Sequence, residues 1–157
     1  MRLLYSCALL CFVGVGVSLA GPKAEDKPDL AAMQKAFQEK LSGATLVGHY
    51  TMEGPGGEVK KSAAPEKYTI TKVDRGEGDR FIFIARIQYG DKDIAVPLTL
   101  RVLWAGNTPV ITLDELNVPG LGTYSARVMI FEDRYAGVWS HGDVGGSLWG
   151  KIEKADK

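Results

Sequence analysis

The chain is poor in groups that do chemistry unaided. Its 157 residues hold two cysteines and two histidines, and 19 basic side chains balance 19 acidic ones. Both cysteines, Cys7 and Cys11, fall within residues 1–20, which read as an export signal. Arg2 supplies the charged start, Leu3 to Val17 the apolar run, and Ser18-Leu19-Ala20 a small-x-small end suited to an export peptidase. Cleavage there starts the working protein at Gly21 without a cysteine, which excludes disulfides, thiol chemistry and cysteine-ligated metal. The alternative is an uncleaved anchor, since no charge interrupts Leu3 to Ala20 and about 20 apolar residues span a bilayer. The glycines, serines and small-residue exit of the segment favour cleavage. Cys7 and Cys11 lie inside the run, not at its end, which argues against a lipid anchor. The expected location is periplasmic or extracellular.

Other absences narrow the function. Loss of the signal removes Arg2 alone among charged residues, leaving one fewer basic than acidic group, so the surface is not that of a nucleic-acid binder. No second long apolar run follows, so no stable membrane span is expected once the signal is cleaved. His49 and His141 sit in no metal-ligand spacing, and His141-Gly142-Asp143 reads as a turn. Strand alternation sends Ser140 and His141 to opposite faces, which defeats a triad with Asp143. Asp114-Glu115 and Glu132-Asp133 read as solvated end and turn residues, not as paired catalytic carboxylates. Gly54-Pro55-Gly56-Gly57 lacks the Lys-Ser/Thr of a phosphate loop. We expect no catalytic residue, no metal and no cofactor, and hence no enzyme.

What is present is a short helix followed by strands. Residues 21–28, with two prolines and four charges, read as a linker to a single domain over 29–157. Asp29 can cap a helix over 29–42 whose apolar residues Leu30, Met33, Phe37 and Leu41 recur at helical spacing, with Gly43 placed to end it. From Ala44 on, alternating β-branched and aromatic runs are cut by Gly, Asp, Asn and Pro. Strands are expected near Thr45 to Met52, Glu58 to Lys61, Tyr68 to Val73, Arg80 to Tyr89, Ile94 to Trp104, Val110 to Leu113, Thr123 to Glu132, Tyr135 to His141 and Ser147 to Glu153. The second and sixth are weakly patterned. Short connections make this a mainly β, antiparallel up-and-down β-barrel or barrel-like sandwich of about eight strands with one N-terminal α-helix.

Hairpin registers follow from the turns. If Gly90-Asp91-Lys92-Asp93 turns and Tyr89 faces Ile94, then Phe81, Phe83, Ala85, Ile87 and Tyr89 share an apolar core face with Ile94, Val96, Leu98, Leu100 and Val102. Pro97, which cannot donate to a ladder, marks an edge or bulge. Pairing Glu132 with Tyr135 and His141 with Gly146 puts Tyr124, Ala126, Val128, Ile130, Tyr135, Gly137, Trp139, Leu148, Gly150 and Ile152 on the core side. Gly137 then faces Gly150, and the notch between them takes a ring such as Tyr50 or Phe83. On the other side Met129, Val138 and Trp149 form a row, with Phe131 and Ala136 in the next. The helix is expected to cover this patch; should it cap a barrel end instead, the patch becomes a dimer or envelope contact. Arg86, Arg101 and Arg127 are expected on the solvent face, where they discourage edge pairing; a sheet closed with that face inward would turn them into an anion clamp.

Gly48-His49-Tyr50 resembles the Gly-x-aromatic opening of lipocalin-type barrels, and the resemblance implies a secreted meander preceded by a short helix. The segments Pro109 to Leu113, Pro119 to Thr123, Tyr135 to Gly137 and His141 to Gly146 resemble small exported bacterial proteins of unassigned function. The expected role is a non-enzymatic binding module for a small, largely apolar ligand, with Tyr50, Phe83, Gly137, Trp139 and Gly150 at the lumen or notch. The alternative is a structural or adaptor protein of the cell envelope, monomer or homodimer, with a filled core and an outer patch of Met129, Val138 and Trp149.

Overall fold

Asp29 accepts a hydrogen bond from the Ala31 amide at 3.0 Å and starts α1 (Leu30–Leu41); Gly43, at φ 73°, turns the chain into the first strand. The computed structural model describes residues 29–154, so the expected export signal with its two cysteines and the whole of the expected linker over 21–28 lie outside the described residues. The strands are β1 (Ala44–Glu53), β2 (Val59–Arg75), β3 (Arg80–Tyr89), β4 (Lys92–Ala105), β5 (Thr108–Val118), β6 (Gly122–Phe131), β7 (Arg134–His141) and β8 (Val144–Lys154). They pair antiparallel in chain order, and β8 returns to β1 to close a barrel.

The two segments expected at 58–61 and 68–73 are one strand. Pro65 lies within β2 opposite His49, and β2 pairs with β3 only from Glu66 onward. Its missing N–H therefore falls where no ladder is needed on the β3 side. Pro97 follows the same rule. The β4–β5 ladder runs only from Arg101↔Thr112 to Ala105↔Thr108, so the first part of β4 bonds to β3 alone.

The core faces are as the alternation predicts, but all three registers slip by two: the β3–β4 and β7–β8 turns are shorter by two residues, and the two-residue β6–β7 turn sits one position earlier than expected. Tyr89 pairs with Lys92, Phe131 with Arg134 and His141 with Val144. Each turn has two residues, and its first takes positive φ: Gly90 at 55°, Glu132 at 49° and Gly142 at 55°. A slip of two preserves every inward face while moving the cross-strand partners. Gly137 accordingly lies opposite Leu148, not Gly150.

Gly150 instead faces Gly48 across the closing seam, and one lateral row runs Tyr89, Glu66, Gly48, Gly150, Tyr135 through β3, β2, β1, β8 and β7. The ring that fills this notch belongs to Tyr135, not to Tyr50 or Phe83. A Cβ on Gly150 would sit 2.6 Å from a Tyr135 ring carbon, and one on Gly48 would collide with the Tyr135 hydroxyl.

The helix closes one end of the barrel and leaves the outer patch bare. Phe37 is 3 % exposed and packs edge-on against Phe81, Phe83 and Trp104, with ring centroids 5.2, 6.2 and 6.1 Å away. Its buried face is Gln34, Phe37 and Leu41; Leu30 stays half exposed. Gln34 is bonded by Arg75, and Lys40 reaches Asp133 at 2.6 Å. The apolar floor of Val73, Phe81 and Val102 is where burying this face removes the most hydrocarbon from water. Gly150→Ala is expected to cost about 1–3 kcal/mol in chemical denaturation, because the added methyl must displace the Tyr135 ring or the Val47 carbonyl; a loss below about 0.5 kcal/mol would contradict the seam packing.

Candidate ligand cavity in the barrel lumen

The inward residues do not fill the barrel. A cavity of about 300 Å³ remains, at the small end of the roughly 300–1,000 Å³ typical of ligand pockets. Phe83, Leu98, Leu100, Ile111, Val128 and Leu148 line its body. The helix end is shut by Phe37 and the floor beneath it. At the opposite end Tyr50, Tyr89, Tyr124, Trp139 and His141 form an aromatic collar. Tyr50 packs edge-on to Tyr89 and Trp139, with centroids at 5.8 and 6.1 Å; Tyr124 stacks on His141 at 4.5 Å; and the Tyr89 and Tyr124 hydroxyls are 2.8 Å apart. The Trp139 indole N–H donates to the Thr51 carbonyl at 3.2 Å, which fixes that ring. Along one flank, the β4–β5 ladder runs only from Arg101↔Thr112 to Ala105↔Thr108.

One polar group interrupts this lining. Glu66 is 4 % exposed and lines the cavity, with the Tyr68 hydroxyl donating to Oε2 at 2.7 Å and the Tyr135 hydroxyl to Oε1 at 2.9 Å. Burial is the larger influence and pushes the carboxyl up to about 7, against the pull of both hydroxyls. Burial likewise raises Tyr68, Tyr89 and Tyr135 above the usual phenol range, reinforced at Tyr68 and Tyr135 by the Glu66 charge. Such a cluster can accept hydrogen bonds from a guest and can gain or lose a proton near neutral pH.

The expected site residues divide. Tyr50, Phe83 and Trp139 line the cavity. Gly137 and Gly150 supply wall backbone only; at Gly137 a Cβ would strike the Arg127 carbonyl. The anion clamp does not form, because all three arginines point outward into ion pairs. Arg86 holds Asp93 at 2.6 and 2.7 Å, Arg101 holds Asp79 at 2.7 Å, and Arg127 binds Asp114 and the Leu113 carbonyl. The arginine bonds keep Asp93 and Asp79 below the usual carboxylate range. Met129, Val138 and Trp149 are exposed, but the row differs from the expected one: Trp149, Ala136, Met129, Val110 and Leu103 are lateral neighbours, while Val138 lies between Arg127 and Ser147. Phe131 lies opposite Arg134, not Ala136.

Glu66 escaped the sequence reading because the segments 58–61 and 68–73 read as separate strands with Glu66 in the connection between them, and Tyr68, within the second, was not singled out. The signal was there: Ala64, Glu66, Tyr68 and Ile70 alternate on one face, with a lone charge among apolar groups. No family model, curated protein or solved structure matches the chain.

The raised Glu66 carboxyl has a stability consequence. Between about pH 4.5 and 7 the folded chain keeps a proton that the unfolded chain has released. The stabilisation is thus complete below about 4.5 and is lost as pH rises through about 7. Stability of the wild type is expected to fall by about 2–3 kcal/mol from pH 5 to 8, and Glu66→Gln should flatten that profile in urea titrations. A wild-type profile that rises over this range would contradict the assignment.

Proposed function

We propose that the protein is an exported, non-enzymatic binding module whose lumen takes one small, largely apolar molecule. The observation that carries this reading is the unfilled cavity of about 300 Å³ between the Phe37 plug and the aromatic collar. The lumen is open at the collar, so its apolar walls face solvent when no guest is bound, and a guest that covers them gains about 25 cal/mol per Å² of apolar surface removed from water. Lining side chains from all eight strands contribute to one largely apolar surface, and the closed ladder holds it in place.

A second reading, an envelope adaptor or homodimer, is supported by the outer row from Trp149 to Leu103. It was expected together with a filled core, and the cavity weighs against that pairing.

The lumen reading is tested by 1-octanol as an apolar probe. At a free concentration near 100 times Kd it should stabilise the fold by about 2.7 kcal/mol and raise Tm by roughly 5–10 °C. Ala126 lines the cavity, so Ala126→Phe should weaken the probe at least tenfold while the circular dichroism spectrum stays unchanged. An unchanged Tm in the wild type, or equal affinity in the variant, would reject the lumen as the site.

A further inference from the structure

The hydrogen-bond inventory of the Glu66 cluster identifies the kind of polar group a guest must bring. Both tyrosine hydrogens are committed to Glu66, one to each oxygen. An ionised carboxylate offers about four lone-pair sites, so about two remain, and each tyrosine oxygen keeps acceptor capacity of its own. What the cluster leaves free is acceptor capacity and no donor. It is also short of positive charge: among the described residues no lysine or arginine lines the cavity. A buried carboxylate without a cation is costly, and a partner that brings both the charge and several N–H groups removes that cost.

We propose that the lumen binds an aliphatic amine, with its protonated ammonium seated against Glu66, Tyr68 and Tyr135 and its hydrocarbon body along Phe83, Leu98 and Leu148. The proposal rests on the lumen-binding reading and names its substrate class. A primary ammonium has three N–H groups, matching one acceptor on the carboxylate and one on each tyrosine. The saddle of Gly48 and Gly150 matters here, because it lets Tyr135 lie flat against the wall and bring its oxygen to the carboxyl.

The collar fits the same guest. Electron-rich ring faces attract cations, and one ammonium of the chain already uses them: Lys61 Nζ lies 5.8 Å from the centre of the Tyr50 ring and 3.4 Å from its hydroxyl. Lys61 also supplies the competing arrangement, in which a fatty carboxylate keeps its head group at the mouth beside Lys61 and leaves Glu66 untouched.

Isothermal titration at pH 8 with octylamine, 1-octanol and octanoate separates these cases, with Ala126→Phe run alongside to subtract binding outside the lumen. Octylamine is expected to bind at least tenfold more tightly than either of the others. Glu66→Gln should bring octylamine to within about threefold of 1-octanol measured on the same variant, with an unchanged circular dichroism spectrum and saturable 1-octanol binding that Ala126→Phe removes showing the cavity intact. Octanoate or 1-octanol binding as tightly as octylamine to the wild type would overturn the proposal while preserving lumen binding, and so would an amine preference that survives Glu66→Gln. Failure of all three to bind would overturn the lumen reading and the amine proposal together.

Discussion

The contact on which the rest of this barrel depends is that of Tyr135 across the seam where β8 meets β1. Closing eight strands puts inward side chains in competition for a narrow interior. At the seam two consecutive positions in the lateral row, Gly48 and Gly150, have no side chain, and the Tyr135 ring takes their place. One residue thereby packs over two strands and hydrogen-bonds to a third, because its hydroxyl ends on Glu66 of β2. The same arrangement keeps a large ring out of the centre of the lumen and fixes a carboxyl within it.

The cavity follows from how the two ends are treated. Phe37 plugs the end where β1 begins, joining a cluster with Phe81, Phe83 and Trp104. The other end has no plug, only rings that lean on one another around the mouth. Outside, the arginines that could have served an anion are each matched to an aspartate. Exposed pairs of this kind contribute little stability and chiefly keep the strands from pairing with other chains. The lumen, by contrast, holds a buried carboxyl paired only with hydroxyls, Glu66 with Tyr68 and Tyr135, and on this the proposed recognition rests.

Much of the fold was legible because alternation is a period-two signal. Phe81 to Tyr89 and Ile94 to Val102 declared their inward faces, and those faces survived although all three hairpin registers slipped by two residues. Turn length and turn position were the hidden variables. Glu132 occupies a left-handed turn position that no glycine advertised, and the continuity of β2 through Pro65, which has no β3 partner, is a property of the assembled sheet. The site was half legible: Tyr50, Phe83 and Trp139 were identified from their faces, whereas Glu66 required joining two segments across Pro65. The covering of Met129 and Trp149 by the helix was misjudged for a related reason. Helical periodicity says that Phe37 and Leu41 need a partner, and only the closed barrel shows that Phe81, Phe83 and Trp104 at its end provide one.

The central claim is that a small apolar molecule enters the lumen and not a surface patch. Methyl-resolved nuclear magnetic resonance during titration with 1-octanol tests it most directly, since lumen and outer-row methyls report separately. The account predicts saturable shifts at Leu98, Ala126, Val128 and Leu148, with Met129 and Val138 unmoved. Shifts confined to Met129, Val138 and Leu103, or none at all, would contradict it.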